Sequence, residues 1–121
     1  MQFDHLTISL LTLRPDAPDL DDAALDALQD RHHSHLADLH DAGDLLAAGP
    51  LLGAPDRTLR GLSIWRPAAQ RVRELIEQHP DPSVAAGRLR VEVMPWMVPA
   101  GAIHFTRTRL PRSIAEATGD A

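Results

Sequence analysis

The chain has no cysteine, which excludes a disulfide framework, a thiolate metal site and thiol catalysis. It has no tyrosine, and aromatic residues make up only 3%, so Leu, Ile, Val and Ala must build the core, with Trp65 and Trp96 as its few large pieces. Lysine is absent as well: all 12 basic residues are arginine, spread along a chain of formal net charge -5. No concentrated positive stripe is legible, so nucleic acid is not an expected partner. No apolar run approaches the roughly 20 residues of a membrane span, and no membrane partner is expected. The start, Met1 to His5, lacks the basic and apolar regions of a secretory signal, and a cytoplasmic location is expected. Glycine-rich phosphate loops and dinucleotide fingerprints are missing too, so any chemistry is expected to need no cofactor.

What is present suits one folded domain. The 121 residues are 44% hydrophobic and 24% charged, an ordinary globular composition. Phe3 to Leu13 reads as a first strand that can place Leu6, Ile8 and Leu10 on one face. The acidic, proline-bearing stretch from Asp16 to Asp22 suits a loop leading to a helix N-terminus near Leu20 to Asp22. On that helix Leu25, Leu28, His32, His35, Leu36 and Leu39 recur at steps of mostly three and four and form one stripe, and Gly43 marks the end. Asp44 to Leu51 reads as a second strand, 53–57 as a turn, and Leu59 to Arg66 as a third strand in a hairpin with the second. Pro67 can occupy the first turn of a second helix, whose stripe is Ala68, Ala69, Val72, Leu75 and Ile76 and which stops at His79, Pro80, Asp81 and Pro82. Leu89, Val91 and Val93 trace a fourth strand running into Pro95 and Trp96.

The order β-α-β-β-α-β is the ferredoxin-like split βαβ pattern, an α+β fold with an antiparallel sheet and two helices on one face. The other face would include apolar residues such as Trp65, Met94 or Trp96, depending on register. Large exposed apolar patches usually mark interfaces, so a homodimer of the dimeric α/β-barrel type is expected. Residues 1–98 are taken as the domain, and 99–121 as an extension that either packs on the dimer or is partly disordered.

Two blocks carry a family resemblance. SHLADLHDAGDLLAAGPL, from Ser34 to Leu51, and DPSVAAGRLRVEVMPW, from Asp81 to Trp96, occur in order, separated by a strand and a helix. Together they resemble the YCII (YciI-like) family, and the similarity covers nearly all of Phe3 to Trp96. The resemblance implies a ferredoxin-like domain, commonly dimeric, with a paired histidine and aspartate that map to His35 and Asp81. Some relatives are implicated in removing chloride from chlorinated aromatic intermediates. The long acidic loop, the extra His32 and His33 and the tail after Met97 depart from shorter members and leave the substrate open.

An imidazole beside a carboxylate can act as a general base, because the carboxylate fixes one tautomer and stabilises the imidazolium. The expectation is an enzyme in which His35 transfers a proton and Asp81 orients it, acting on a small organic molecule by elimination, isomerisation or hydrolysis. The alternative is a dimeric small-ligand binding or accessory protein using the same cleft without turnover. For His35 a backbone-bonded structural histidine is the bland reading, and for Asp81 a turn residue. His32, Gly49, Pro50, Ser63, Pro82 and Gly87 are expected to shape the pocket or its backbone. His32, His33, His35 and His40 invite a metal hypothesis. They lack the three or four convergent ligands or the His-Glu-x-x-His pattern of a zinc site, so no metal is expected.

Overall fold

The computed structural model describes residues 1–53 and 57–119. Its elements run β1 (Phe3–Leu13), α1 (Asp22–Asp41), β2 (Leu45–Pro50), β3 (Leu59–Trp65), α2 (Ala69–Gln78), α3 (Pro82–Ala85), β4 (Leu89–Pro99) and α4 (Ile114–Thr118). The four strands form one antiparallel sheet in the order β2-β3-β1-β4, and the helices pack on one face, as a split βαβ fold requires. Among the described residues no helix is long and apolar enough to cross a membrane.

Local chemistry explains the boundaries. The Asp21 carboxylate accepts from the Ala24 amide and caps α1, satisfying one of the donors a helix start leaves unpaired. At the other end Gly43 takes φ 88°, the left-handed conformation that closes a helix at little cost for glycine. Pro67 stays outside α2, whose cap is Ala68, and its carbonyl accepts the Thr7 hydroxyl at 2.7 Å. Strand β4 extends past Pro95 and Trp96 to Pro99, which an edge strand tolerates because a missing N–H there breaks no ladder. The short α3 and α4 and the length of β4 exceed the sequence expectation. The turn expected over 53–57 lies partly outside the described residues.

Alternation along β1 and β3 sorts the sheet into two faces. Thr7, Ser9 and Leu11 face the helices with Gly61, Ser63 and Trp65, and all six are buried. Trp65 therefore belongs to the core and not to the open face. Its indole N–H donates to Ser9 Oγ at 2.9 Å, which satisfies two buried polar groups at once. Leu45, Trp65, Val72 and Leu75 form the buried cluster, with Leu36, Leu39, Ile76 and Val93 packed around it. The opposite face carries Leu6, Ile8, Leu10, Leu62, Ile64, Met94 and Trp96, paired in register and only partly buried.

The segment after β4 returns across α1. His40, expected on the flank of that helix, is buried at 6% exposure. Its Nδ1 lies 2.7 Å from the Leu45 carbonyl oxygen and its Nε2 2.8 Å from that of Thr108. Arg112 donates to Asp38 and Asp41 at 2.8 and 2.7 Å, and the Ile114 amide to Asp30 at 2.8 Å. Leu45, at 1% exposure, belongs to the buried cluster with Trp65, Val72 and Leu75. Leu45→Ala is expected to lower unfolding free energy by about 2–5 kcal/mol. Leu52→Ala, at an 83% exposed position, should change it by less than about 0.5 kcal/mol. Urea denaturation of both variants checks the pair.

Candidate active site

Helical periodicity puts His32 and His35 on the sheet-facing side of α1, one turn apart. The second contributor arrives from the far end of α2. There Asp81 caps α3, its Oδ1 accepting from the Ser83 amide at 2.8 Å, and Pro82 supplies the first helical position. Its other oxygen, Oδ2, lies 2.6 Å from His32 Nδ1. Both side chains of this pair are largely enclosed, at 15% and 11% exposure. The turn reading and the site reading of Asp81 thus hold together in one carboxylate.

The hydrogen bond of Asp81 goes to His32, where the sequence reading placed His35. The two rings share a helix face, and the sequence could not say which turn of α1 would meet α3. His35 stays close, in a small cavity with Asp81, Ser63, Ser9, Leu39 and Trp65. That space is about 30 Å³, room for about one water and no organic substrate.

A larger cavity, of about 560 Å³, is bordered by His32, which does not line the small one. His32, Leu36, Gly49, Pro50, Ser63 and Leu89 contribute to it. Ser63 therefore borders both spaces. Gly87 and Pro82 line neither cavity; Gly87, at φ 76°, shapes the turn from α3 into β4. Leu110, Pro111 and Ile114 from the tail close one side of the larger cavity. The sequence reading missed this contribution, as it missed Arg57, Arg60 and Arg88, which line the same cavity. Their only advance signal was position: Arg60 lies near the start of β3 and Arg88 just before β4, ends that antiparallel pairing brings together.

The electrostatics separate the histidines. Burial pushes the His35 imidazole below its ordinary value, against the pull of the Asp81 carboxylate, and His32 adds to the depression. Burial and the neighbouring His32 likewise lower His33. A neutral His32 that donates from Nδ1 to Asp81 carries its lone pair on Nε2, the nitrogen for which no described residue supplies a partner. That arrangement suits an acceptor of protons facing a cavity large enough for a small molecule. Among the described residues no three His, Cys, Asp or Glu side chains converge as a metal site would need.

No family model matches the chain, and no curated protein matches it. Among the solved structures similar to the chain are two that differ in kind. One is 5-chloro-2-hydroxyhydroquinone dehydrochlorinase from Burkholderia phenoliruptrix in complex with 2,5-dihydroxybenzoquinone, at 23% identity and TM-score 0.50, over 75% of this chain and 92% of that one. The other is a protein from Arabidopsis thaliana, at 14% identity and TM-score 0.43, over 83% of this chain and all of that one. At this identity the dehydrochlorinase speaks for the fold.

A histidine with a depressed native pKa binds protons more readily when unfolded. The part of the stability owed to neutral His35 is therefore complete above its ordinary value of 6.5 and is lost as pH falls through the lower native value. Urea midpoints of the native chain should fall between pH 7.5 and 5.5, and those of His35→Gln should fall less. Equal acid sensitivity of the two proteins would rule out this account of His35.

Proposed function

We propose that this chain is a YCII-like protein and a cytoplasmic, cofactor-independent enzyme in which His32 transfers a proton and Asp81 orients it. Its substrate is a small organic molecule, and the reaction is an elimination, isomerisation or hydrolysis. The observation that carries the reading is the 2.6 Å contact between His32 Nδ1 and Asp81, with the same ring bordering the cavity of about 560 Å³. Proton transfer is thereby assigned to His32 and not to His35, whose own cavity is too small for substrate. His35 and Ser63 flank the pair and shape its surroundings.

In this mechanism the Nε2 lone pair of His32 takes a proton from a substrate C–H or O–H bond. The electron pair of that bond stays on the substrate, and in an elimination it becomes the new π bond while the leaving group departs with the pair of the bond that held it. Asp81 stabilises the imidazolium, and its own bond to the Ser83 amide keeps the carboxylate from rotating away. The similar fold of a dehydrochlorinase makes elimination of chloride from a chlorinated hydroxyhydroquinone the first reaction to try. Chloride release and deuterium uptake from D2O should both be measurable for the native chain. His32→Gln should lower them by about 10²- to 10⁴-fold, and His35→Gln by much less. An unchanged rate in His32→Gln would remove His32 from the mechanism; saturable binding without turnover would replace the enzyme by a binding protein.

Asp81→Asn tests the orienting role without a substrate. Facing an amide N–H in place of a carboxylate oxygen, His32 should move its proton from Nδ1 to Nε2. Ring nitrogen shifts in ¹⁵N NMR report the tautomer directly, and an unaltered tautomer in a folded variant would contradict the assignment.

The same reading takes the protein as a homodimer through the open sheet face. Leu6, Ile8, Leu10, Leu62, Ile64, Met94 and Trp96 form an apolar centre on that face, bordered by Asp4, Thr12, Arg90 and Glu92 in the same register, and such a patch rarely stays in water. Sedimentation should give a dimer for the native chain and a monomer for Ile64→Asp. A native monomer at tens of micromolar would refute it.

A further inference from the structure

Charge is distributed unevenly around the larger cavity. Arg57, Arg60 and Arg88 line it, and among the described residues no aspartate or glutamate does. The whole chain has 17 acidic residues against 12 arginines, so this wall inverts the balance of the molecule. Four arginines elsewhere are paired with carboxylates, Arg14 with Asp16, Arg71 with Glu74, Arg109 with Glu116, and Arg112 with Asp38 and Asp41, and Arg66, Arg73 and Arg107 donate to backbone carbonyls. The cavity arginines have no such partners among the described residues. Arg60 donates from Nε to the Arg57 carbonyl, and Arg88 Nε is buried with no hydrogen-bond partner among the described residues.

A buried guanidinium N–H without an acceptor is costly, as are like charges held together. Burial first, and then the charges of Arg57 and Arg88, push the Arg60 guanidinium below its ordinary pKa. An anion seated among the three would relieve both costs. Apolar surface lies alongside: Leu36, Leu89, Leu110 and Ile114 border the same space. A ligand suited to these walls has a charged oxygen group at one end and an apolar body at the other.

We propose that this cavity binds a small organic anion, its carboxylate or comparable oxyanion held by Arg60 and Arg88 with Arg57 beside them, and its apolar body against Leu36, Leu89 and Leu110. The anion site stands on the arginine wall; that its occupant is a substrate rests on the proton-transfer reading of His32. The positive wall then has a second use, because it favours the negative charge that builds on the substrate as His32 removes a proton.

Benzoate, phenylacetate and cyclohexanecarboxylate, each against its neutral amide, test the site by NMR titration of arginine Nε–H and leucine methyl signals at constant ionic strength. The acids should saturate with shifts at Arg60, Arg88 and Leu89, and the amides should bind at least about tenfold more weakly. Arg60→Gln and Arg88→Gln should each weaken the acids by about tenfold or more and leave the amides unchanged. The more exposed Arg57→Gln provides a variant that keeps the half-buried Arg60 and Arg88 intact and should show a smaller loss of the same sign. Equal binding of acids and amides, acid affinity untouched by the arginine changes, or no saturable binding of any acid would overturn the proposal. His32→Gln separates the two readings: it should keep acid binding while losing turnover. Acid binding with no effect of His32→Gln on turnover would defeat the catalytic reading and leave the anion site standing.

Discussion

The Asp81 carboxylate has two tasks that pull on different oxygens. Oδ1 closes the first turn of α3, and Oδ2 meets His32 on α1. A side chain with only one of these bonds could turn about its χ angles; with both, its plane is set by backbone on one side and imidazole on the other. The connection between α2 and β4 is thereby anchored to α1, and the ring of His32 is oriented at the edge of the larger cavity. Burial of the pair at 15% and 11% exposure strengthens the contact and makes loss of either partner costly.

Beneath the helices the sheet is more polar than its composition suggests. Thr7, Ser9 and Ser63 occupy central positions on the buried face, and two of them have visible work: Thr7 holds the Pro67 carbonyl before α2, and Ser9 accepts from Trp65. Ser63, between two cavities, is the third. This polar line keeps the space under α1 from being filled by aliphatic side chains, and the cavities lie beside it. Leu6, Ile8, Leu10, Leu62 and Ile64 of the same strands go to the other face, which no described helix covers.

The tail completes the larger cavity from outside. Arg112 clamps it to Asp38 and Asp41, while His40 contacts the Thr108 carbonyl. These bonds hold Leu110, Pro111 and Ile114 over space that the β-α-β-β-α-β core alone would leave open. An apolar cover and three arginines around one space give the cavity a mixed character, suited to a ligand that is itself part charged and part apolar.

The strands and both long helices were legible in the sequence, because alternation in Leu89, Val91 and Val93 and the three-and-four spacing from Leu25 to Leu39 depend only on neighbours along the chain. The ends of α1 followed in the same way from the acidic stretch Asp16 to Asp22 and from Gly43. The site was legible in part: Asp81 and the histidine stripe on α1 came from local pattern and family resemblance, while the choice between His32 and His35 depends on which turn of α1 faces α3. Trp65 and His40 show the same limit, since burial of each depends on register and on a partner more than 50 residues away in sequence. The arginine wall is the extreme case. Arg57, Arg60 and Arg88 look scattered in one dimension, and only the pairing of strand ends brings their charges together. The sequence by itself determined the elements, their order and the residue types available for chemistry, because those follow from short-range spacing. Tertiary structure alone decided which histidine meets the carboxylate and which charges share a cavity, because those contacts are set by packing between elements that the local pattern does not encode.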